Sequence, residues 1–84
     1  MHEMGIASSI LDAVQTELLL YPGYRAAKVD VRIGEFAGVD GESLRFCFDA
    51  IVKGSALESL ELGIETGSGD ELDLSRIEME ELCT

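Results

Sequence analysis

The chain has 84 residues, a length that suits one small domain with a single hydrophobic core. Its 17 acidic residues against 6 basic ones give a formal net charge of -11, which disfavours nucleic-acid phosphates as partners and favours cations or basic protein surfaces. Neither an apolar run long enough to span a membrane nor a secretory signal is evident. We therefore expect one cytoplasmic domain over residues 1–84 that binds neither nucleic acid nor membranes.

The first predicted element is an amphipathic helix. Apolar residues recur at spacings of three and four, the pattern of one buried stripe; they are Ala7, Ile10, Leu11, Val14, Leu18 and Tyr21. Pro22 restricts the residue before it to extended conformations and Gly23 permits a reversal, so the helix is expected to end near Leu20.

A strand is predicted to begin at Lys28. Val29, Val31 and Ile33 alternate with polar residues, which indicates one buried and one solvated face. The alternation ends at Gly34, and a loop follows. Glu35 is expected to cap this loop rather than to take part in a site.

A second helix is predicted between Asp40, a good N-cap, and Gly54, a good C-terminal stop. Its apolar stripe consists of Leu44, Cys47, Phe48, Ile51 and Val52. Phe46 lies off the centre of this stripe. It is either a contact on the flank of the core, which is favoured, or an exposed aromatic residue available to a partner. Cys83 is expected to be an exposed free thiol; a disulfide with Cys47 is possible, but no argument from the redox compartment supports it.

Two further strands are predicted near the end of the chain. Leu60, Leu62 and Ile64 alternate in the first of them. In the second, the apolar residues change from even positions, Leu72 and Leu74, to odd ones, Ile77 and Met79. A bulge near Ser75 and Arg76 would return all four to one face of the strand. The Gly-Ser-Gly at 67–69 is interpreted as a flexible turn that is compatible with a hairpin.

The element order α-β-α-β-β predicts a two-layer α+β domain. A three-stranded sheet with one apolar face can bury that face under two amphipathic helices.

The sequence carries no recognisable catalytic constellation. His2 is the only histidine, no serine or cysteine is near it in sequence, and the glycines lack a phosphate-binding spacing. The carboxylates of 77–82 alternate with apolar residues, as on the solvent face of a strand. We therefore expect that the chain is not an enzyme.

Met1, His2 and Glu3 form a candidate metal site. The terminal amine, the amide nitrogen of His2 and its ring can close fused chelate rings on one cation, and the amide nitrogen of Glu3 can complete a plane. Nickel(II) and copper(II) accept four nitrogens in a square, whereas zinc prefers a tetrahedron and should bind more weakly. Binding should strengthen as pH rises, because the amine and the imidazole must lose protons. A histidine at position two can equally have no role.

The sequence also resembles the HypA/HybF family of nickel metallochaperones. The resemblance rests on MHE at 1–3, VRIGEFAGVDGESLRFCFDAIVKG at 31–54, LELGIE at 60–65 and GDELDLSRIEMEE at 69–81. It implies a carrier that supplies nickel for the maturation of nickel–iron hydrogenase and, in some organisms, of urease. It also implies that nickel is held by the backbone nitrogens of Met1, His2 and Glu3 together with the His2 side chain.

The same resemblance implies a GTPase partner and docking near the hydrogenase large subunit. The alternative is a protein docking module of the maturation complex that has no useful metal affinity. In that case the exposed edge of the sheet and the acidic surface would bind the partner.

The chain departs from the family in one module. Family members carry a zinc site of two C-x-x-C pairs between the last two strands, whereas this chain has TGSGDEL at 66–72. A natural minimal member and an engineered deletion both fit, and the Gly-Ser-Gly bridge favours the deletion. In either case we expect no zinc. Gly41 also stands where the family pattern has proline, which should soften the helix cap.

Overall fold

A computed structural model describes residues 2–82, so Met1 and Cys83 lie outside the described part of the chain. The elements are α1 (Glu3–Leu18), β1 (Tyr24–Gly34), α2 (Gly41–Val52), β2 (Glu61–Gly67) and β3 (Leu72–Glu81). The strands form one sheet in the order β2-β1-β3, and apolar residues from both helices pack with those of the sheet in one core. The predicted α+β fold with the order α-β-α-β-β is confirmed.

The sheet is mixed, and β1 is its central strand. β1 pairs in parallel with β2, to which α2 connects it, and in antiparallel with β3. The hairpin with which the Gly-Ser-Gly turn was compatible is not formed, because β1 lies between β2 and β3. Pairing on both sides buries the most apolar strand of the chain, in which Val29 and Val31 have almost no exposed surface.

The connection from β2 to β3 crosses over the end of β1. Three backbone N–H groups at the end of β1 donate to carbonyl oxygens here: Glu35 to Gly67, the last residue of β2 (2.9 Å), and Gly34 and Phe36 to Glu71 (2.7 Å) and Gly69 (2.8 Å) of the connection. The connection is thus a hydrogen-bonded crossover, which differs from the flexible turn that the Gly-Ser-Gly composition predicts.

The bulge predicted in β3 is confirmed. Asp30 pairs with Arg76 and Val31 pairs with Leu74, so Ser75 is the extra residue. A second irregularity lies in β1, between Ala26 and Lys28. It interrupts the alternation, which explains why β1 begins at Tyr24 although the pattern predicted a start at Lys28.

The helices end close to the predicted positions. α1 ends at Leu18, two residues early, because the N–H groups of the next three residues bond in the tighter i to i−3 pattern. α2 ends before Gly54, which has the positive φ of 78° that favours glycine.

Phe46 does not contact the flank of the core, since 75% of it is exposed. Leu44, Phe48 and Val52 form the buried stripe of α2, and a residue two positions from Leu44 and Phe48 lies on the opposite side of a helix. The favoured prediction for Phe46 was therefore wrong. Cys47 is half-buried against the core, as predicted.

Candidate metal site at the amino terminus

His2 is the N-cap residue of α1, and its side chain is exposed. Its carbonyl oxygen accepts the first helical hydrogen bond, from the N–H of Ile6 at 3.1 Å. Its ring makes no capping hydrogen bond. The amide nitrogens of His2 and Glu3 precede the first donor of the helical ladder, so α1 does not use their N–H groups.

The carboxylate of Glu3 connects the amino terminus to α2. Its Oε2 accepts the backbone N–H of Asp40 at 3.2 Å, and the Asp40 side chain in turn caps α2 by accepting the N–H groups of Glu42 (3.0 Å) and Ser43 (3.5 Å). The predicted N-cap at Asp40 is thus confirmed. Sequence reasoning missed the role of the Glu3 side chain, because its partner lies 37 residues away.

Two of the three predicted metal-site residues can be located. His2 and Glu3 are consecutive at the start of α1, and Met1 lies outside the described residues. Within residues 2–82, no three His, Cys, Asp or Glu side chains converge as a metal centre. A metal ion held at His2 would therefore draw on backbone nitrogens as well as on the imidazole.

Glu71 is a second carboxylate that sequence reasoning missed. Its Oε1 accepts the N–H of Gly69 at 2.8 Å inside the crossover. Hydrogen bonds from its own backbone N–H and from that of Gly69 hold the pKa of Glu71 below its ordinary value of 4.5. Glu35, for which a capping role was predicted, contributes its backbone N–H, which donates to the carbonyl oxygen of Gly67, whereas the side chain of Glu71 caps the crossover. The signal for Glu71 is the number of glycines around it: a Cβ at Gly34 or Gly67 would overlap its carboxylate.

His2 lies at the same end of the domain as the crossover. It lines one groove together with Leu72 and Asp73, the first residues after the crossover. Among residues 2–82, no helix is long and apolar enough to cross a membrane. Fold and site together define a small two-layer α+β domain with a candidate nitrogen-donor metal site at one end.

Comparison with known proteins identifies the family. A family model described as hydrogenase/urease nickel incorporation, metallochaperone, hypA matches residues 1–71. The chain therefore belongs to the HypA family. Since this is a family of metallochaperones, it agrees with the prediction that the chain is not an enzyme.

Two curated relatives, both named hydrogenase maturation factor HypA, show the extent of the similarity. The protein of Chlorobium limicola is 48% identical over 65 residues, which are 77% of this chain and 56% of the relative. That of Chlorobaculum tepidum is 42% identical over 69 residues, 82% of this chain and 61% of the relative. This chain thus matches little more than half the length of these relatives.

The fold is also that of a solved structure. The solution structure of the Ni metallochaperone HypA from Helicobacter pylori superposes with a TM-score of 0.75, and the alignment covers 100% of both chains. At 15% identity, this likeness concerns the fold alone.

Proposed function

We propose that this chain is a nickel carrier that binds one nickel(II) ion through Met1, His2 and Glu3 and supplies it for the maturation of nickel–iron hydrogenase. The observation that carries the proposal is the arrangement at the start of α1. An exposed imidazole stands beside two amide nitrogens that the helical ladder does not use. A metal ion can therefore take these amides without breaking a hydrogen bond of the helix.

The charge at the start of the helix is compatible with the same site. The N-terminus of a helix carries a partial positive charge, which by itself disfavours a cation there. Binding through the amides of His2 and Glu3 removes two protons, so the two negative nitrogens offset the charge of nickel(II). The four-nitrogen square that results is the geometry that nickel(II) and copper(II) accept and that zinc disfavours.

The proposed partners are a nickel-insertion GTPase and the hydrogenase large subunit, with urease as a further recipient in some organisms. The family description and the names of the relatives support hydrogenase and urease as recipients. We further propose that the chain acts in the cytoplasm as a single nickel-binding domain. In it, residues 67–69 stand in place of the zinc module of the family, and it binds no zinc.

The test is a nickel titration followed by ultraviolet–visible spectroscopy on protein with a free amine at Met1. The unaltered chain should saturate at one equivalent and show the weak d–d band of square-planar nickel. His2→Ala should lose that band. The double variant His2→Ala/Gln15→His is the matched control, because it restores one exposed imidazole on α1 away from the terminus. Retention of the band in either variant would refute the site.

A second pair of variants tests the amide of Glu3. Proline suits the first position of a helix but has no N–H, so Glu3→Pro should preserve α1 and remove one nitrogen donor. Glu3→Ala loses the carboxylate and keeps the amide. We expect the square-planar band in Glu3→Ala and not in Glu3→Pro; the same spectrum in both would exclude this nitrogen as a ligand.

The alternative, a docking module without useful metal affinity, makes a different prediction for the same titration. Equally weak nickel binding by the unaltered chain and His2→Ala would favour it. The partner would then bind to the exposed edge of the sheet and the acidic surface rather than through a metal ion at the terminus.

A further inference from the structure

An apolar groove runs along the domain between α1 and β3. We call it the α1/β3 groove; its apolar lining includes Ile6, Ile10, Ala13, Leu72, Leu74 and Ile77. It begins at His2 with a cavity of about 450 Å³ and continues past Leu74 into a second cavity of about 390 Å³ that reaches Tyr21. The groove therefore follows the whole length of α1.

The groove exists because β3 has no helix above it. α1 packs on β1 and α2 packs on β2, while Leu72 and Leu74 are left 39% and 38% exposed. The bulge at Ser75 places Leu74 and Ile77 on the same face, so the apolar surface is continuous along the strand. Contiguous exposed apolar surface with a polar border is typical of an interaction site.

The charge around the groove indicates what it binds. The two elements that border it, α1 and β3, carry seven acidic residues and one basic residue, but not all of them face the groove. Arg76, Glu78 and Glu80 lie on the opposite face of the sheet, where Arg76 pairs with Glu78 and Glu80 pairs with Arg25. Glu17 and Asp73 line the groove itself. A second copy of the chain, with its own charge of -11, would be repelled.

We propose that the α1/β3 groove is the docking site for an amphipathic helix of a partner protein, whose apolar stripe fills the groove and whose flanks carry lysine or arginine. A helix placed there would lie beside α1 over β3 and complete the helical layer of the domain. Its end would lie next to His2. The proposal rests on the proposed function in one respect, since docking here places a partner beside the nickel-binding terminus.

The test uses designed peptides as probes for binding to the full chain. The first peptide has about 18 residues, a length that spans roughly 27 Å as a helix. It carries leucine at i, i+3, i+4 and i+7 and lysine on the other face. A second peptide replaces lysine by glutamate, and a third has the composition of the first with scattered leucines. Binding is measured by fluorescence anisotropy at about 0.15 M ionic strength.

Three neutral substitutions locate the binding site on the protein. Leu74→Gln changes the β3 side of the groove, and Ala13→Gln fills its α1 side. Phe46→Gln is the matched control, because it removes an exposed apolar residue of α2 outside the groove. The lysine peptide should bind about tenfold more weakly to Leu74→Gln and Ala13→Gln and unchanged to Phe46→Gln. Circular dichroism verifies that each variant is folded.

Several results would overturn the proposal. Equal binding of the glutamate peptide or of the scattered-leucine peptide would show that the groove does not select a basic amphipathic helix. An equal loss in Phe46→Gln would place binding elsewhere, and self-association abolished by Leu74→Gln would make a second copy the occupant. Nickel titration without peptide reports on the proposed function alone, and Leu74→Gln should bind nickel like the unaltered chain.

Discussion

Substitution of Gly34 by alanine tests whether the crossover between β2 and β3 holds the fold together. Gly34 is the last residue of β1, and the crossover lies directly against its backbone. A Cβ at this position would overlap the carbonyl oxygen of Gly69 and the carboxylate of Glu71. The carboxylate belongs to a side chain that can rotate away. The carbonyl is backbone, so the crossover itself must move.

The expected loss follows from the hydrogen bonds that the displaced crossover would break. Gly34 and Phe36 donate backbone N–H groups to carbonyl oxygens within it, and Glu35 donates to that of Gly67, the residue from which it starts. At roughly 1 kcal/mol of net stabilisation for each bond, Gly34→Ala should lower the free energy of unfolding by about 2–4 kcal/mol. For a domain of this size, that corresponds to a decrease in the melting temperature of roughly 8–32 °C.

Urea denaturation followed by circular dichroism measures this change. Gly5→Ala is the matched control, because it makes the same substitution where a Cβ would meet no atom within 4 Å. Gly5 lies within α1, so Gly5→Ala should increase the free energy of unfolding by roughly 0.5–1 kcal/mol. An unchanged denaturation midpoint in Gly34→Ala would refute the reasoning, because it would mean that the crossover does not constrain the end of β1.

Three further measurements test the energetics of the fold. The pKa of Glu71 is lowered below 4.5 in the folded chain, so its contribution to stability is complete above that pH and is lost as the pH falls through the folded pKa. The free energy of unfolding should therefore fall less steeply with decreasing pH in Glu71→Gln than in the unaltered chain. Parallel curves of the free energy of unfolding against pH would contradict this. Phe48→Ala should lower the free energy of unfolding by about 3–5 kcal/mol, and Phe46→Ala by less than about 0.5 kcal/mol, since only the first is buried. Asp40→Ala should lower the free energy of unfolding by about 0.5–2 kcal/mol through the loss of the α2 cap. An unchanged melting temperature would show that the cap does not contribute to stability.

The elements that the sequence predicted well are those whose signals are local. Asp40 marks the start of α2 through its side-chain cap, Gly54 marks the end through its backbone conformation, and alternation revealed the buried face of β1. The bulge at Ser75 followed from parity alone. These signals depend on residues close in sequence, and the surrounding fold does not change them.

Strand order was not predictable from the same signals. The Gly-Ser-Gly at 67–69 is compatible with a turn of any direction, so it suggested a hairpin. A helix between β1 and β2 makes their pairing parallel, and β3 then pairs with the free side of β1. Recognition of this β-α-β unit would have predicted that β1 and β2 are parallel, but it leaves open with which of them β3 pairs.

The candidate site was only partly predictable for a related reason. The MHE motif and the family resemblance pointed to His2, whose donor atoms lie within one short segment. The carboxylate of Glu3 contacts Asp40, and no local pattern encodes a contact between residues 37 positions apart. Likewise, the function of Glu71 depends on three glycines that only the folded crossover brings together.

The parallel pairing of β1 and β2 also determines what surrounds the amino terminus. Since both strands end at the same end of the sheet, α2 begins there and the crossover lies there. The contact between Glu3 and Asp40 holds the start of α1 at this end as well. Residues inserted between Gly67 and Leu72 would therefore emerge beside His2. The length of this one connection can change the environment of the proposed nickel site while the core strand β1 keeps both of its neighbours.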